Sequence, residues 1–177
     1  MNLTELLQND LPIFTPGQTI GELHDFFAEN NLTHIGICET SGLFLGLVSA
    51  ASIRNLSKEI VVSKAEQLLQ FDAVFVEDHF PTHLRFLKKN QSNIIPVLNS
   101  ERQFLGYITS LDIVHKLEAL PVFHNDNDTL ILSKASEDFS LAEIVQIAVS
   151  NQAIINGAFI VEKTEVDTVV VIQLQTE

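Results

Sequence analysis

Phe44-Leu45-Gly46-Leu47-Val48-Ser49 returns 60 positions later as Phe104-Leu105-Gly106-Tyr107-Ile108-Thr109. The offset holds outward from that stretch. Phe26 matches Phe86, Asn30 matches Asn90, Ile35-Gly36-Ile37 matches Ile95-Pro96-Val97, and Ile53 matches Ile113. One spacing kept over so many positions marks an internal repeat, and a repeat decides how each neighbouring segment is read.

Each copy spells the same series of elements. In the first, Thr19 and Glu22 have the spacing of a capping box, and Ile20, Leu23 and Phe27 then recur at helical intervals as far as Asn30. A strand over 33–38, a turn at Thr40-Ser41-Gly42 and a second strand over 43–48 follow, and a short helix runs from about Ser49 to Leu56. In the second copy a helix carries Phe80, Leu84 and Leu87, with Pro81 in its first turn. Strands over 93–98 and 103–108 flank Asn99-Ser100-Glu101, and a closing helix covers 110–117. The unit is strand, helix, strand, strand, helix. Between the copies, Ser63 and Glu66 predict another capped helix that ends near Gln70.

Composition narrows the class. The 177 residues include 23 acidic and 10 basic side chains, a formal net charge of −13, which argues against nucleic acid as a partner because phosphate binding draws on Lys and Arg. A chain 46% hydrophobic and 19% charged can fill a core. The single cysteine, Cys38, excludes an intrachain disulfide framework and every multi-cysteine zinc pattern, and it reads as a small buried hydrophobe. Glu5 and Asp10 stand where a secretion leader would need a basic end and an apolar run. The uncharged stretch 144–161 contains Gln146, Ser150, Asn151, Gln152, Asn156 and Gly157, which hydrocarbon would not tolerate. A soluble, cytoplasmic protein with no membrane partner is expected.

The tail reads as a separate unit. After Leu120-Pro121, the polar run His124-Asn125-Asp126-Asn127-Asp128 marks a boundary loop. A strand over 129–133 follows, then Ser140 and Glu143 cap a helix with Leu141, Ile144, Val145, Ala148 and Val149 on one face. Strands over 154–162 and 168–174 are joined by the charged turn 163–167, so the order is strand, helix, strand, strand.

A repeat of this size, with a small residue or Pro in the first inner strand, a Gly in the second and Thr-x-x-Asp at a helix start, resembles a tandem CBS-domain pair, or Bateman module. The resemblance spans about Leu11 to Leu117 and is carried best by Gly106-Tyr107-Ile108-Thr109-Ser110-Leu111-Asp112-Ile113. The first copy departs from it, with Ser52 in the acidic position and Gly36 where the second has Pro96. The tail is similar to the first part of an ACT domain, the ferredoxin-like unit that follows a CBS pair in acetoin-utilisation-type proteins, with four of its six elements before Glu177.

The expected fold is α+β. Two CBS repeats, each βαββα, occupy 11–57 and 71–117 as a pseudo-twofold pair within residues 1–120, followed by a linker at 121–128 and an ACT-like βαββ unit over 129–177. A sheet truncated in this way leaves an unpaired edge and an uncovered face, which suits a homodimer. Amino-acid binding of the ACT kind lacks half its fold here.

The resemblance also implies two clefts, each able to hold an adenosine-containing ligand such as AMP, ADP, ATP or S-adenosylmethionine. Asp112 has two acceptor oxygens for both ribose hydroxyls, and Thr109 can offer its hydroxyl to the ribose or the first phosphate. Ile95, Pro96 and Val97 would wall the adenine, while His115, Lys116 and Arg54 are cations for further phosphates. Thr-x-x-Asp ahead of a helix is equally a plain capping box, and both readings stand at this level. Ser49 and Ser52 can cap but cannot clamp a ribose, so at most one competent cleft is expected.

His79 and His83 are four apart, yet Pro81 places His79 ahead of its helix, and no metal site is expected. The twelve Phe residues read as core. No nucleophile elbow, phosphate-cradling glycine loop or metal triad supports catalysis. A non-enzymatic, ligand-sensing regulator with no required cofactor is the reading; the alternative is a constitutive interaction or assembly module with empty clefts. No residue points to a client protein.

Overall fold

The first helix begins where its capping residues dictate. Thr19 Oγ1 accepts the Glu22 N–H at 3.3 Å while Glu22 Oε2 accepts the Thr19 N–H at 2.7 Å, so two donors at the helix start are satisfied reciprocally. This helix, α1 (Ile20–Glu29), buries Ile20, Gly21 and Leu23. The computed structural model describes residues 4–123, 126 and 128–175. Its further elements are β1 (His34–Cys38), β2 (Phe44–Ser49), α2 (Ala50–Ile53), β3 (Val74–Phe75), α3 (Phe80–Asn90), β4 (Ile94–Leu98), β5 (Phe104–Thr109), α4 (Ser110–Glu118), β6 (Asp128–Ala135), α5 (Leu141–Ser150), β7 (Ile154–Lys163) and β8 (Asp167–Gln175). They fall into two compact units, Met1–Ile113 and Val114–Glu177.

In the first unit the strand pairs repeat in register. β1 runs antiparallel to β2 and β4 to β5, so that Ile35 opposite Val48 is matched by Ile95 opposite Ile108. β3 joins β4 in parallel through Val74 and Val97, whereas the first copy has only a single parallel bridge there, Phe14 to Ile37. The first strand expected in copy one is thus reduced to one residue. Pro12 and Pro16 flank Phe14 and cannot donate to a ladder.

The two copies meet through bonds that interchange when the copies are exchanged, as a local twofold axis requires. The Phe44 N–H donates to the Arg102 carbonyl at 3.1 Å and the Phe104 N–H to the Gly42 carbonyl at 3.0 Å. Likewise the Thr33 N–H donates to Asn93 Oδ1 and the Asn93 N–H to Thr33 Oγ1, both at 3.0 Å. Each copy also lends the segment that precedes it to the other: Gln8 pairs with Tyr107, and Gln70 with Leu47. Gly46 and Gly106 make room for these segments. They have φ of +156° and +150°, and a Cβ would lie 3.2 Å from the Gln70 carbonyl oxygen at Gly46 and 2.8 Å from that of Gln8 at Gly106.

The core crosses the axis as well, with Phe14, Ile20, Leu23, Ile35, Ile37 and Val48 packed together with Ile94 and Tyr107. Tyr107 is fully buried, its ring edge-on to Phe104 at 4.7 Å, and its hydroxyl accepts the Gly36 N–H at 2.8 Å. That approach accounts for Gly36. A Cβ there would lie 2.8 Å from the phenol oxygen and 3.2 Å from the Phe44 ring. The counterpart of Tyr107 in the first copy is Leu47, which has no hydroxyl, so the second copy can hold Pro96 at the matching place.

Two elements differ from expectation. The segment after Val61 forms two 3-10 turns, Val62–Lys64 and Glu66–Leu68, and neither has a side-chain cap. The Ser63 N–H, the donor that the Glu66 carboxylate would take in a capping box, goes instead to the Pro16 carbonyl at 2.9 Å, and the Val62 N–H goes to the Gln18 carbonyl at 2.9 Å. α2 is one turn long and stops short of Leu56. Past Ile53 the Arg54 N–H turns to the Ala51 carbonyl at 3.4 Å and the Leu56 N–H to the Ile53 carbonyl at 2.9 Å, so the chain tightens into turns that reach back three residues and the α-helical ladder stops.

The second unit is a three-stranded antiparallel sheet in the order β6-β8-β7. β6 and β7 are therefore parallel, with β8 inserted between them and α5 as the crossover. Ser140 caps α5 by accepting the Glu143 N–H at 3.3 Å, while the Glu143 carboxylate goes to Lys134 Nζ at 2.9 Å. Ile144 of α5 packs on Val170, Ile172 and Leu174 of β8. On the other face, Ile131, Val171 and Phe159 line up across the three strands, and Phe123 stacks on Phe159 at 6.4 Å. Of the expected boundary loop, His124, Asn125 and Asn127 lie outside the described residues. Among the described residues no helix is long and apolar enough to cross a membrane.

Burial pushes the Cys38 thiol from 9.0 up to about 12, and raises the Tyr107 phenol against the opposing effect of the Gly36 bond. Both groups keep their protons in the fold and lose them sooner in the unfolded chain. Their contribution to stability is therefore complete below the unfolded values, 9.0 and 10.0, and is lost as pH rises through the folded ones. Urea unfolding is expected to show stability falling above pH 9.0, by at most about 1.4 kcal/mol per pH unit for each group. Tyr107 is the sole tyrosine, so phenolate absorbance reports on it directly. It is expected to rise together with unfolding; a native chain titrating at pH 10.0 would contradict the buried phenol. Gly36→Ala is expected to lower stability by about 1–3 kcal/mol, and by less in a Tyr107→Phe background, where the phenol oxygen is gone.

Candidate functional site

β5 ends at Thr109 and α4 begins one residue later. Thr109 Oγ1 accepts the Asp112 N–H at 3.1 Å, and Asp112 Oδ2 accepts the Thr109 N–H at 3.1 Å and its hydroxyl at 2.6 Å. The capping box is complete. Gln8 adds another donor, its Nε2 lying 2.9 Å from Asp112 Oδ2, brought there by the pairing of Gln8 with Tyr107. Among the described residues the hydrogen bonds to this carboxylate converge on Oδ2.

The rest of the expected site divides. Ile95, Pro96 and Val97 run along the same ladder, opposite Ile108, Tyr107 and Gly106, but their side chains are buried in the core, so backbone groups are what they offer. His115 and Lys116 follow Asp112 in the last turn of α4. Arg54 is elsewhere, at the end of α2 in the cleft of the first copy.

That cleft is an open cavity of about 440 Å³, lined by Thr33, His34, Ser49, Arg54, Gln70 and Asn90 among others, and both copies contribute to it. Ser49 accepts the Ser52 N–H at 3.0 Å, as Thr109 does for Asp112. His34 Nδ1 lies 3.0 Å from Thr33 Oγ1, and burial lowers the imidazole pKa below 6.5. At neutral pH the ring is uncharged, and Arg54 is the charged group on the cavity wall. One cation among hydroxyl and amide groups suits an anionic small molecule.

Sequence reasoning did not find His34, Gln70 and Asn90 for this cavity. The signal for Gln70 is the repeat itself, since Gln70 meets Leu47 as Gln8 meets Tyr107, but an exchange of segments leaves no mark on local pattern. His79 stands at the N-cap of α3 and His83 is buried, with Nδ1 3.2 Å from the His79 carbonyl oxygen. Among the described residues no group of three or more His, Cys, Asp and Glu side chains is placed to hold a metal.

No family model matches the chain, and no curated protein matches it. Solved structures do. A CBS domain pair/ACT domain protein of Thermotoga maritima is 18% identical, with a TM-score of 0.59 over 66% of this chain and 96% of that one. CBSX2, solved in complex with AMP, is 15% identical, with a TM-score of 0.54 over 66% of this chain and 95% of its own. A putative acetoin utilization protein, AcuB, of Vibrio cholerae is 14% identical, with a TM-score of 0.53 over 66% and 90%. Identities this low speak for architecture alone, and they agree on it: this chain has the fold of a CBS domain pair.

Proposed function

We propose that the first unit is a regulatory, non-enzymatic module that binds an adenosine-containing ligand, AMP, ADP, ATP or S-adenosylmethionine, between its repeats. The observation that carries this reading is the cavity of about 440 Å³ with Arg54 on its wall. Its size falls within the usual range of small-molecule sites, roughly 300–1,000 Å³. A neighbour of the same fold, CBSX2, has been solved with AMP. Arg54 meets a phosphate or carboxylate of the ligand, Ser49 and Thr33 supply hydroxyls, and the amides of Gln70 and Asn90 read polar edges. The ligand acts as a signal by favouring one packing of the repeats over another.

Asp112 provides a second reading within the same function. Its Oδ1 accepts a ribose hydroxyl beside Thr109, with His115 and Lys116 as cations and the backbone of Ile95, Pro96 and Val97 beneath the base. Gln8 must then turn aside. The tail is the first half of an ACT-like unit, since its order β6-β8-β7 with α5 as crossover is that of a split βαβ. A second copy covering its apolar face makes the protein a homodimer. The protein is soluble and cytoplasmic, with neither nucleic acid nor membrane as partner.

Isothermal titration of the full chain with the four ligands at millimolar concentration tests the reading. Binding of at least one is expected. Arg54→Ala is expected to weaken it about 10- to 100-fold, the worth of a charge-assisted bond. Asp112→Asn leaves it intact if the ligand sits in the first cleft and removes it if the ligand sits in the second. Absence of heat with all four would leave the alternative, a constitutive assembly module whose clefts stay empty.

A further inference from the structure

The sheet of the second unit ends in two edges that are built differently. β7 bulges between Ile155 and Gly157 and again between Ile160 and Glu162, a device that bends an edge away from further pairing. β6 runs against β8 without a bulge from Asp128 to Ala135, contains no proline, and exposes Leu130 at 39% and Ile131 at 64%. Such an edge is a template for another strand. Its own sequence fits it to itself. About Ile131, Asp128-Thr129-Leu130-Ile131-Leu132-Ser133-Lys134 is a palindrome of chemical class, leucine answering leucine, hydroxyl answering hydroxyl and base answering acid.

We propose that β6 pairs antiparallel with β6 of a second copy about a twofold axis through Ile131, so that two three-stranded sheets become one. The proposal rests on the reading of the protein as a homodimer and assigns a contact to the sheet edge. Opposite residues of an antiparallel ladder share a face, and a twofold axis perpendicular to the sheet carries each residue to the same face of the other copy. The axis must therefore pass through a residue. At Leu130 it would set Asp128 against Leu132, and at Leu132 it would set Lys134 against Leu130. At Ile131 it sets Asp128 against Lys134 of the second copy in both directions, Thr129 against Ser133, Leu130 against Leu132, and Ile131 against itself. By alternation Asp128 and Lys134 lie on one face of β6, the face on which Lys134 Nζ meets Glu143 of α5 at 2.9 Å. The Lys134 side chain is 39% exposed, so its ammonium can take a carboxylate from each copy.

Disulfide trapping in the full chain tests the register, at positions whose side chains are exposed and whose exchange leaves the core alone. On mild oxidation Ile131→Cys is expected to give a covalent dimer, because the axis brings that residue opposite its own copy. Thr129→Cys and Ser133→Cys are each expected to stay single, since their like residues lie about 14 Å apart along the strands, beyond the reach of a disulfide. An equal mixture of the two is expected to link as a heterodimer. Cys38 is buried and common to every variant, so the single-site chains control for it. Lys134→Asp added to Ile131→Cys is expected to slow linking several-fold, and Asp128→Lys added to both to restore it. Sedimentation of the parent chain separates the two ways of failing. A monomer would overturn the homodimer and the edge contact together. A dimer in which Ile131→Cys links no faster than Thr129→Cys, in which the mixture does not link, or in which linking ignores the charges would overturn the edge contact and leave the homodimer standing.

Discussion

The first unit depends on an exchange: each repeat completes its pairing with the segment that precedes the other. Gln8 reaches Tyr107 and Gln70 reaches Leu47, each through main-chain bonds made in both directions. Neither repeat satisfies these backbone groups by itself, so the pair is the folding unit, in keeping with a core that runs across the axis. The same exchange constrains the residues around it. Glycine at 46 and 106 follows from the closeness of the lent segments, and glycine at 36 follows from the Tyr107 hydroxyl arriving from the other copy.

Much of this was legible because it is local or periodic. The 60-residue offset, the capping boxes at Thr19 and Thr109 and the alternation of the tail strands are written within a few residues of where they act. The missed features depend on distant partners or on rival local bonds. Ser63 has the look of a cap, yet its N–H belongs to Pro16. α2 gives way past Ile53 to turns in which the Arg54 and Leu56 N–H groups reach back three residues. By sequence Arg54 is a cation to set beside Asp112, whereas the fold sends it to the first-copy cavity with Gln70 and Asn90. The strand order of the tail cannot be read from alternation, since a pattern of inward and outward residues names no neighbour.

The two helix starts show how a repeat diverges without losing its frame. Both keep a hydroxyl residue capping the following helix, Ser49 in one and Thr109 in the other. Beyond that they part. The second copy retains a carboxylate but engages it with Thr109 and Gln8; the first has no carboxylate among its lining residues and keeps an open cavity with a guanidinium. A cap and a ligand clamp draw on the same oxygens, so the chemistry of Thr-x-x-Asp decides nothing until its surroundings are known.

The reach of Gln8 to Asp112, across 104 residues, also bears on the order in which the molecule is made. During synthesis Gln8 emerges early, and its partners Tyr107 and Asp112 follow only after both repeats have been translated. Local pieces such as α1 and the β1-β2 hairpin can form while the chain is still growing, but the strap that ties the unit together is held back until the end. A nascent chain therefore passes through a long interval with Gly106 not yet made and the Gln8 segment unpaired. Its exposure to chaperones and proteases is set by the speed of translation as much as by the stability of the finished fold.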